Sequence, residues 1–269
     1  MSVDLTALLA PVSALAAEAG ARIMDIYATA FQVEEKADNS PLTAADLASH
    51  QTISAGLRRL TPDIPMLSEE SASIPFAERC HWEYFWLVDP LDGTKEFIQR
   101  NGEFTVNIAL IEGHQPLLGV IRIPVTGLCY FAARGQGAFR QETGKAVERI
   151  HVCSPSADPV RVVGSRSHGG HSLDAYVASL GRHTLLSIGS ALKFCLVAEG
   201  KADIYPRLGP TSEWDTAAAQ CIVEEAGGQV ISVSGERLAY NTRESLLNPH
   251  FLVFGDASRD WRVYLPQQA

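Results

Sequence analysis

Leu5, Leu8, Leu9, Val12, Leu15, Ala19, Ile23, Ile26 and Tyr27 recur at spacings of three and four, the period of an amphipathic helix with one face toward a core. Pro11 falls inside the run. A proline removes an intrahelical hydrogen bond and crowds the preceding turn, so a kink or a late helix start is expected there. The polar stretch "VEEKADNSP" follows as strand and loop. A second helix is predicted from "TAAD", with Thr43 as N-cap and Asp46 at the capping-box position. Leu47, Ile53, Leu57 and Leu60 form its apolar side, and "TPDIP" ends it.

"MLSEES" and "YFWLV" are short apolar runs, each leading into acids. "FTVNIALIE", "PLLGVIRIP" and "LCYFAA" then have the length and composition of strands, and "EGHQ" turns the first into the second. They predict an antiparallel meander. From about residue 150 the rhythm becomes alternating: "VRVVGS", "HTLLSI" and "ADIYPR" as strands, with "HSLDAYVASLG", "SALKFCLVAEG" and "WDTAAAQCIVEEAGG" as helices. "QVISVSG" and "FLVFG" add further strands. The expected fold is layered α/β: residues 1–150 as an α+β half built on an antiparallel sheet, residues 151–269 as an alternating α/β half, packed as one unit.

Composition narrows the function classes. The net charge of −9 disfavours a nucleic-acid polymer as partner, because backbone binding needs a basic face. Cys80, Cys129, Cys153, Cys195 and Cys221 are odd in number, widely spaced and free of any C-x-x-C, which suits reduced core residues rather than a disulfide frame or a zinc site. The first residues have an acid at Asp4 and no basic region, so they make a poor signal peptide. No run of 18 apolar residues predicts a membrane span.

The acids are the informative feature. "DPLDGTKEF" places Asp89 and Asp92 at the end of an apolar run, and Glu69 and Glu70 in "LSEES", Asp46 in "TAAD" and Asp215 in "EWDTAA" also fall at element ends. Ligands of layered sheets bind beyond strand ends, so these acids can converge. Like charges that close repel unless a cation lies between them, and hard divalent ions such as Mg²⁺ take oxygen ligands. A phosphate ester is the substrate that such a site suits. Simpler readings stand beside this one. Asp46 can act as a cap alone, Asp215 can serve only the helix dipole, Glu70 can be solvated, and Asp, Pro and Gly are ordinary turn residues. A turn does not explain the second aspartate beside apolar residues.

Other motifs are weaker. "SALK", Ser190 to Lys193, matches the S-x-x-K of acyl-serine enzymes, but neither K-T-G nor S-D-N accompanies it. His168 and His171 form H-x-x-H in a glycine-rich loop without nearby acid ligands. Walker A, G-x-S-x-G and G-x-G-x-x-G are absent.

"DPLDGTKEF", "LSEES" and "EWDTAA" together resemble the lithium-sensitive, Mg²⁺-dependent inositol monophosphatase superfamily, over essentially the whole chain. "KADNSPLTAAD", "GSRSH", "LKFCLVAEGKADIYPRLGPTSEWDTAA" and "RESLLNP" are similar to its 3'(2'),5'-bisphosphate nucleotidase branch of CysQ type. Ala219 departs from the glycine that many relatives carry at the end of W-D-T-A-A-G.

The resemblance implies a layered αβαβα sandwich and Mg²⁺ as cofactor. It implies metal ligation by Glu69, Asp89, Asp92, Asp215 and the Leu91 carbonyl, with Glu69 preferred over Glu70. Asp46 and Thr94 should orient and deprotonate water, and the Gly93 and Thr94 amides should bind the scissile phosphate. Lys36, Arg166, Lys193 and Arg207 become candidates for a second phosphate, with Lys193 and Arg166 favoured. The implied reaction is removal of the 3'-phosphate of adenosine 3',5'-bisphosphate. Inositol phosphate or fructose 1,6-bisphosphate hydrolysis on the same fold, a non-catalytic nucleotide or metal sensor and an acyl-serine hydrolase are the alternatives. A monomer or homodimer in the cytoplasm, with peripheral attachment to the inner membrane as a variant of that location, completes the expectation.

Overall fold

The structure is a computed structural model and describes residues 3–35, 41–166 and 171–266. Lys36 and His168 lie outside the described residues. The elements in chain order are α1 (Leu5–Tyr27), β1 (Val33–Glu35), β2 (Pro41–Thr43), α2 (Ala44–Leu60), β3 (Met66–Ser68), α3 (Phe76–Arg79), β4 (Tyr84–Asp92), α4 (Thr94–Ile98) and β5 (Thr105–Glu112). There follow β6 (Gln115–Ile123), β7 (Leu128–Ala133), β8 (Gly137–Gln141), β9 (Glu148–Ile150), β10 (Val160–Ser165), α5 (His171–Ser179) and β11 (His183–Ile188). The chain continues with α6 (Leu192–Ala198), β12 (Ile204–Arg207), α7 (Glu213–Glu225), β13 (Gln229–Ser232) and β14 (Phe251–Phe254). A 3₁₀ turn, Glu69–Ser71, follows β3.

Seven strands form one sheet in the order β3-β4-β5-β6-β7-β8-β9, and five form another in the order β11-β10-β12-β14-β13. The predicted meander is present as β5 to β7. Two departures make both sheets mixed. β3 runs parallel to β4, because the chain crosses from one to the other through the 3₁₀ turn and α3 instead of a hairpin. In the second sheet β10 is parallel to both β11 and β12, while β14 is antiparallel to β12 and β13.

Strand alternation sorts the core into layers. Trp86 and Val88 of β4 face a cluster with Val12, Leu15 and Ile23 of α1 and Ile53 and Leu57 of α2. Phe85 and Leu87, one residue out of phase, face a second cluster with Phe194 of α6, Ala218 and Ile222 of α7 and Val253 of β14. Beyond the second sheet, Tyr176 and Val177 of α5 pack with Val162, Ile204 and Leu252. The layers therefore run helices, sheet, helices, sheet, helix, the αβαβα order expected from the resemblance. The packing of α7 on β6 is very close: a Cβ at Gly119 would lie 2.2 Å from the Ala218 carbonyl oxygen.

The late helix start is not observed. α1 begins at Leu5, capped by Asp4, and runs through Pro11. Burial of Val12, Leu15, Ala16, Ala19 and Ile23 offsets the missing hydrogen bond, which costs about 3 kcal/mol in an isolated helix. The apolar side assigned to α2 is also corrected. Leu47 and Leu60 are 43% and 37% exposed, whereas Ala45, Ser49, Ile53, Gly56 and Leu57 are buried. Small residues occupy that face because α1 comes close: a Cβ at Gly56 would lie 2.3 Å from Leu15 Cδ1. Cys129, Cys195 and Cys221 are buried, Cys80 and Cys153 are half-buried, and all five are free.

Candidate active site

β4 ends at the site, and the bond pattern there explains the three-residue spacing of its acids. Asp89 pairs with Asn107 and Asp92 with Thr105, so β4 holds one residue more than its partner across this interval. In a regular strand, residues three apart point to opposite faces. The bulge inserts the extra residue and returns both carboxylates to one face. Asp89 is buried, and the Leu91 amide donates to its Oδ1 across 3.0 Å. Ser49 of α2 donates to the Pro90 carbonyl across 2.7 Å and pins the bulge. Gly93 then takes a left-handed conformation, φ 93°, which only glycine adopts readily, and turns the chain into α4.

Asp215 arrives from the other half. It is the third residue of α7 and accepts the Ser212 amide at 2.9 Å, closing a capping box. Asp89, Asp92 and Asp215 each present a carboxylate oxygen within 4.8 Å of the others. Burial pushes the Asp89 carboxyl well above the usual range, and the charges of Glu69, Asp92 and Asp215 push it further. Burial and the Asp92 charge raise Asp215 to about 8. Glu69, at the end of β3, lines the same cleft and acts on both. Glu70, its neighbour, is not among the lining residues. Such a set is short of positive charge, and its donors are all hard oxygens, so the residues present fit a small divalent cation.

The cleft has a volume of about 480 Å³, and Glu69, Leu91, Gly93, Thr94, Lys193 and Arg207 also line it. Asp46 reaches it through Thr94. Its Oδ2 accepts the Thr43 amide and hydroxyl at 2.8 and 2.7 Å, and its Oδ1 accepts the Thr94 hydroxyl at 3.2 Å. The cap and the link to the site are thus made by different oxygens of one carboxylate.

The basic residues separate. Lys193 is buried, and burial lowers its ammonium to about 8 against the attraction of Asp92. Arg207 is buried with its Nε unbonded. Arg166 sits elsewhere: its guanidinium makes a two-point pair with Glu103, at 2.9 and 2.6 Å, and does not line the cleft.

Two residues contribute that pattern reading passed over or misjudged. Ser190, at φ 53°, donates to Asp92 Oδ2 across 2.7 Å, and the Ala191 amide donates to the same oxygen at 2.7 Å. Lys193 Nζ reaches the Ser190 carbonyl at 2.5 Å, so in "SALK" the serine hydroxyl serves a carboxylate and not a lysine base. Asn107, opposite the bulge, donates to Asp92 at 3.3 Å. The signal for Ser190 was the same tetrapeptide, but its partner lies 98 positions away. His171 opens α5, is exposed and lines a smaller pocket that shares Ser165 and Arg207 with the cleft. Ala219 is buried inside α7, one turn past Asp215.

This arrangement of sheets and clustered acids is that of a metal-dependent phosphatase fold. The chain belongs to the inositol monophosphatase family, which matches residues 4–258. It is 53% identical over 248 residues to the 3'(2'),5'-bisphosphate nucleotidase CysQ of Escherichia coli O157:H7, spanning 91% of this chain and 99% of that protein. The crystal structure of CysQ from Bacteroides thetaiotaomicron, a bacterial member of the same family, aligns with a TM-score of 0.81 at 44% identity, covering 93% of this chain and 97% of that one. An inositol monophosphatase from Anabaena sp. PCC 7120 aligns with a TM-score of 0.76 at 26% identity, covering 98% of each chain.

Proposed function

We propose that the protein is a Mg²⁺-dependent phosphatase that converts adenosine 3',5'-bisphosphate and water to AMP and phosphate, with 3'-phosphoadenylyl sulfate as a further substrate. One observation carries this reading. A cluster of three carboxylates shares its cleft with two buried cations, Lys193 and Arg207. A bisphosphate needs both: a metal centre for the phosphate that is cut and a cationic seat for the one that stays. The near-full-length identity to CysQ proteins supports the same substrate.

Asp89, Asp92, Asp215, Glu69 and the Leu91 carbonyl would hold the metal. Bound Mg²⁺ would neutralise charge on the phosphate and make water a better nucleophile at neutral pH. The chain's own groups do the rest. Thr94 Oγ1 donates toward Asp46 Oδ1 at 3.2 Å, with the Leu91 carbonyl as a second acceptor at 3.4 Å, and its lone pairs accept the proton of the attacking water. Asp46, fixed by the α2 cap, is the base behind it. The Gly93 and Thr94 amides, at the turn into α4, bind the phosphate being cut. Attack in line forms the new P–O bond as the bond to O3' breaks, and O3' takes up its proton from solvent water. No phosphoenzyme forms.

Phosphate release from adenosine 3',5'-bisphosphate and inositol 1-phosphate, each with Mg²⁺ and with chelator, tests this. Faster Mg²⁺-dependent release from the nucleotide is expected. Faster release from the inositol ester would move the protein to the sister activity, and no release from either would end the catalytic reading.

A further inference from the structure

One wall of the cleft is not used by the chemistry above. Trp214, Leu247 and Ala72 line it; of the cleft's other apolar residues, Leu91, Ala191, Phe194 and Tyr205 are buried and Pro210 is exposed. Trp214 is half-buried and packs one side on the central core. Leu247 is 50% exposed. A lone exposed leucine needs no explanation, but this one shares its cleft with an indole and is held firmly.

The support of Leu247 is extensive. It pairs with Ser212 as an antiparallel bridge. On either side the Glu213 amide donates to the Leu246 carbonyl at 2.8 Å, and the Asn248 amide to the Thr211 carbonyl at 2.9 Å. The Asn248 side chain adds a bond of 2.7 Å to the Ser212 carbonyl. Upstream, the buried Arg79 donates to Asn241 Oδ1 at 2.5 Å and to the Arg243 and Glu244 carbonyls at 3.0 and 2.5 Å. The segment from Asn241 to Asn248 is therefore registered against the first turn of α7, the turn that carries Asp215. Leu247 stands at a fixed place relative to the carboxylates.

We infer that Trp214 and Leu247 form an apolar ledge that takes the nucleobase of the substrate and so selects a nucleotide over a polyol phosphate. This rests on the nucleotidase reading and extends it to the residues that set specificity. The faces of a purine are apolar and gain by leaving water against an indole and a leucine. An inositol ring carries hydroxyls all round, and each one set on this ledge would lose a water partner without replacement. The volume of about 480 Å³ accommodates a ligand of nucleotide size.

The test is calorimetric titration of the full chain with AMP and with ribose 5-phosphate, in Mg²⁺, for wild type, Leu247→Ala and Leu247→Phe. Leu247 is exposed, so both variants should fold. Wild type should prefer AMP. Leu247→Ala should weaken AMP about tenfold, the loss expected for removing apolar contact of this size. Ribose 5-phosphate should bind the variant and wild type alike, and Leu247→Phe should retain AMP. Equal weakening of both ligands, or AMP binding unchanged in Leu247→Ala, would overturn the ledge. Turnover is read separately. A preference for AMP that depends on Leu247, without phosphate release from adenosine 3',5'-bisphosphate, keeps the ledge and removes the phosphatase reading.

Discussion

Thr94 Oγ1 donates to Asp46 Oδ1 across 3.2 Å, joining the first turn of α4 to the first turn of α2 over 48 positions of chain. In the proposed mechanism the bond makes a helix cap part of a proton path. Thr94→Val removes the hydroxyl and should lower kcat by about 10²–10⁴, the usual worth of a positioned proton acceptor. Thr94→Ser should restore most of it. Asp46→Ala should lose both activity and about 1 kcal/mol of stability, because it also removes one half of the α2 capping box. Melting and turnover measured on the same samples separate the two roles. Loss of stability with turnover intact would leave Asp46 as a cap only.

Asp89 and Asp215 predict the pH dependence of the metal-free protein. A carboxyl raised in the fold holds its proton where the unfolded chain has lost it, so the native state binds more protons between the two values. For Asp215 that window runs from 3.8 to about 8. Stability in chelator should therefore fall as pH rises through this range. Mg²⁺ should raise Tm most at the alkaline end. Asp89→Asn should flatten the chelator profile and nearly abolish turnover. A Tm that rises with pH across this window in chelator would contradict the repulsive cluster.

Lys193 should set an alkaline limb on substrate affinity. Its ammonium is charged below about 8 and neutral above it in the free protein. KM for the nucleotide should climb above that pH in wild type. Lys193→Gln should show a raised KM at neutral pH and no such limb. An identical limb in the variant would assign it to another group.

Arg166 gives the opposite expectation. Its side chain is 47% exposed and already paired with Glu103, and an exposed ion pair contributes little. Arg166 does not line the cleft, so Arg166→Ala should change KM for the nucleotide by less than about fivefold. A larger rise would show that substrate draws Arg166 away from Glu103 and into the cleft.

Much of this was legible in the chain itself. The strands and helices after residue 150 were legible from the alternation of short apolar runs with longer helix-like ones. The capping box of α2 was readable in "TAAD" because its two partners are three residues apart. The acids of "DPLDGT" and "EWDTAA" could be named as candidates, and the resemblance grouped them.

Tertiary structure decided what depends on distance in space. The bulge that turns Asp89 and Asp92 to one face exists only through pairing with β5. The exposure of Leu47 and Leu60 followed from the close approach of α1, which favours Ser49 and Gly56 over larger residues. Ser190 finds its carboxylate, and Arg166 its partner Glu103, across 98 and 63 positions. A local pattern records which face of an element is apolar. It holds no record of which elements meet, because that is fixed by packing among layers far apart in the chain.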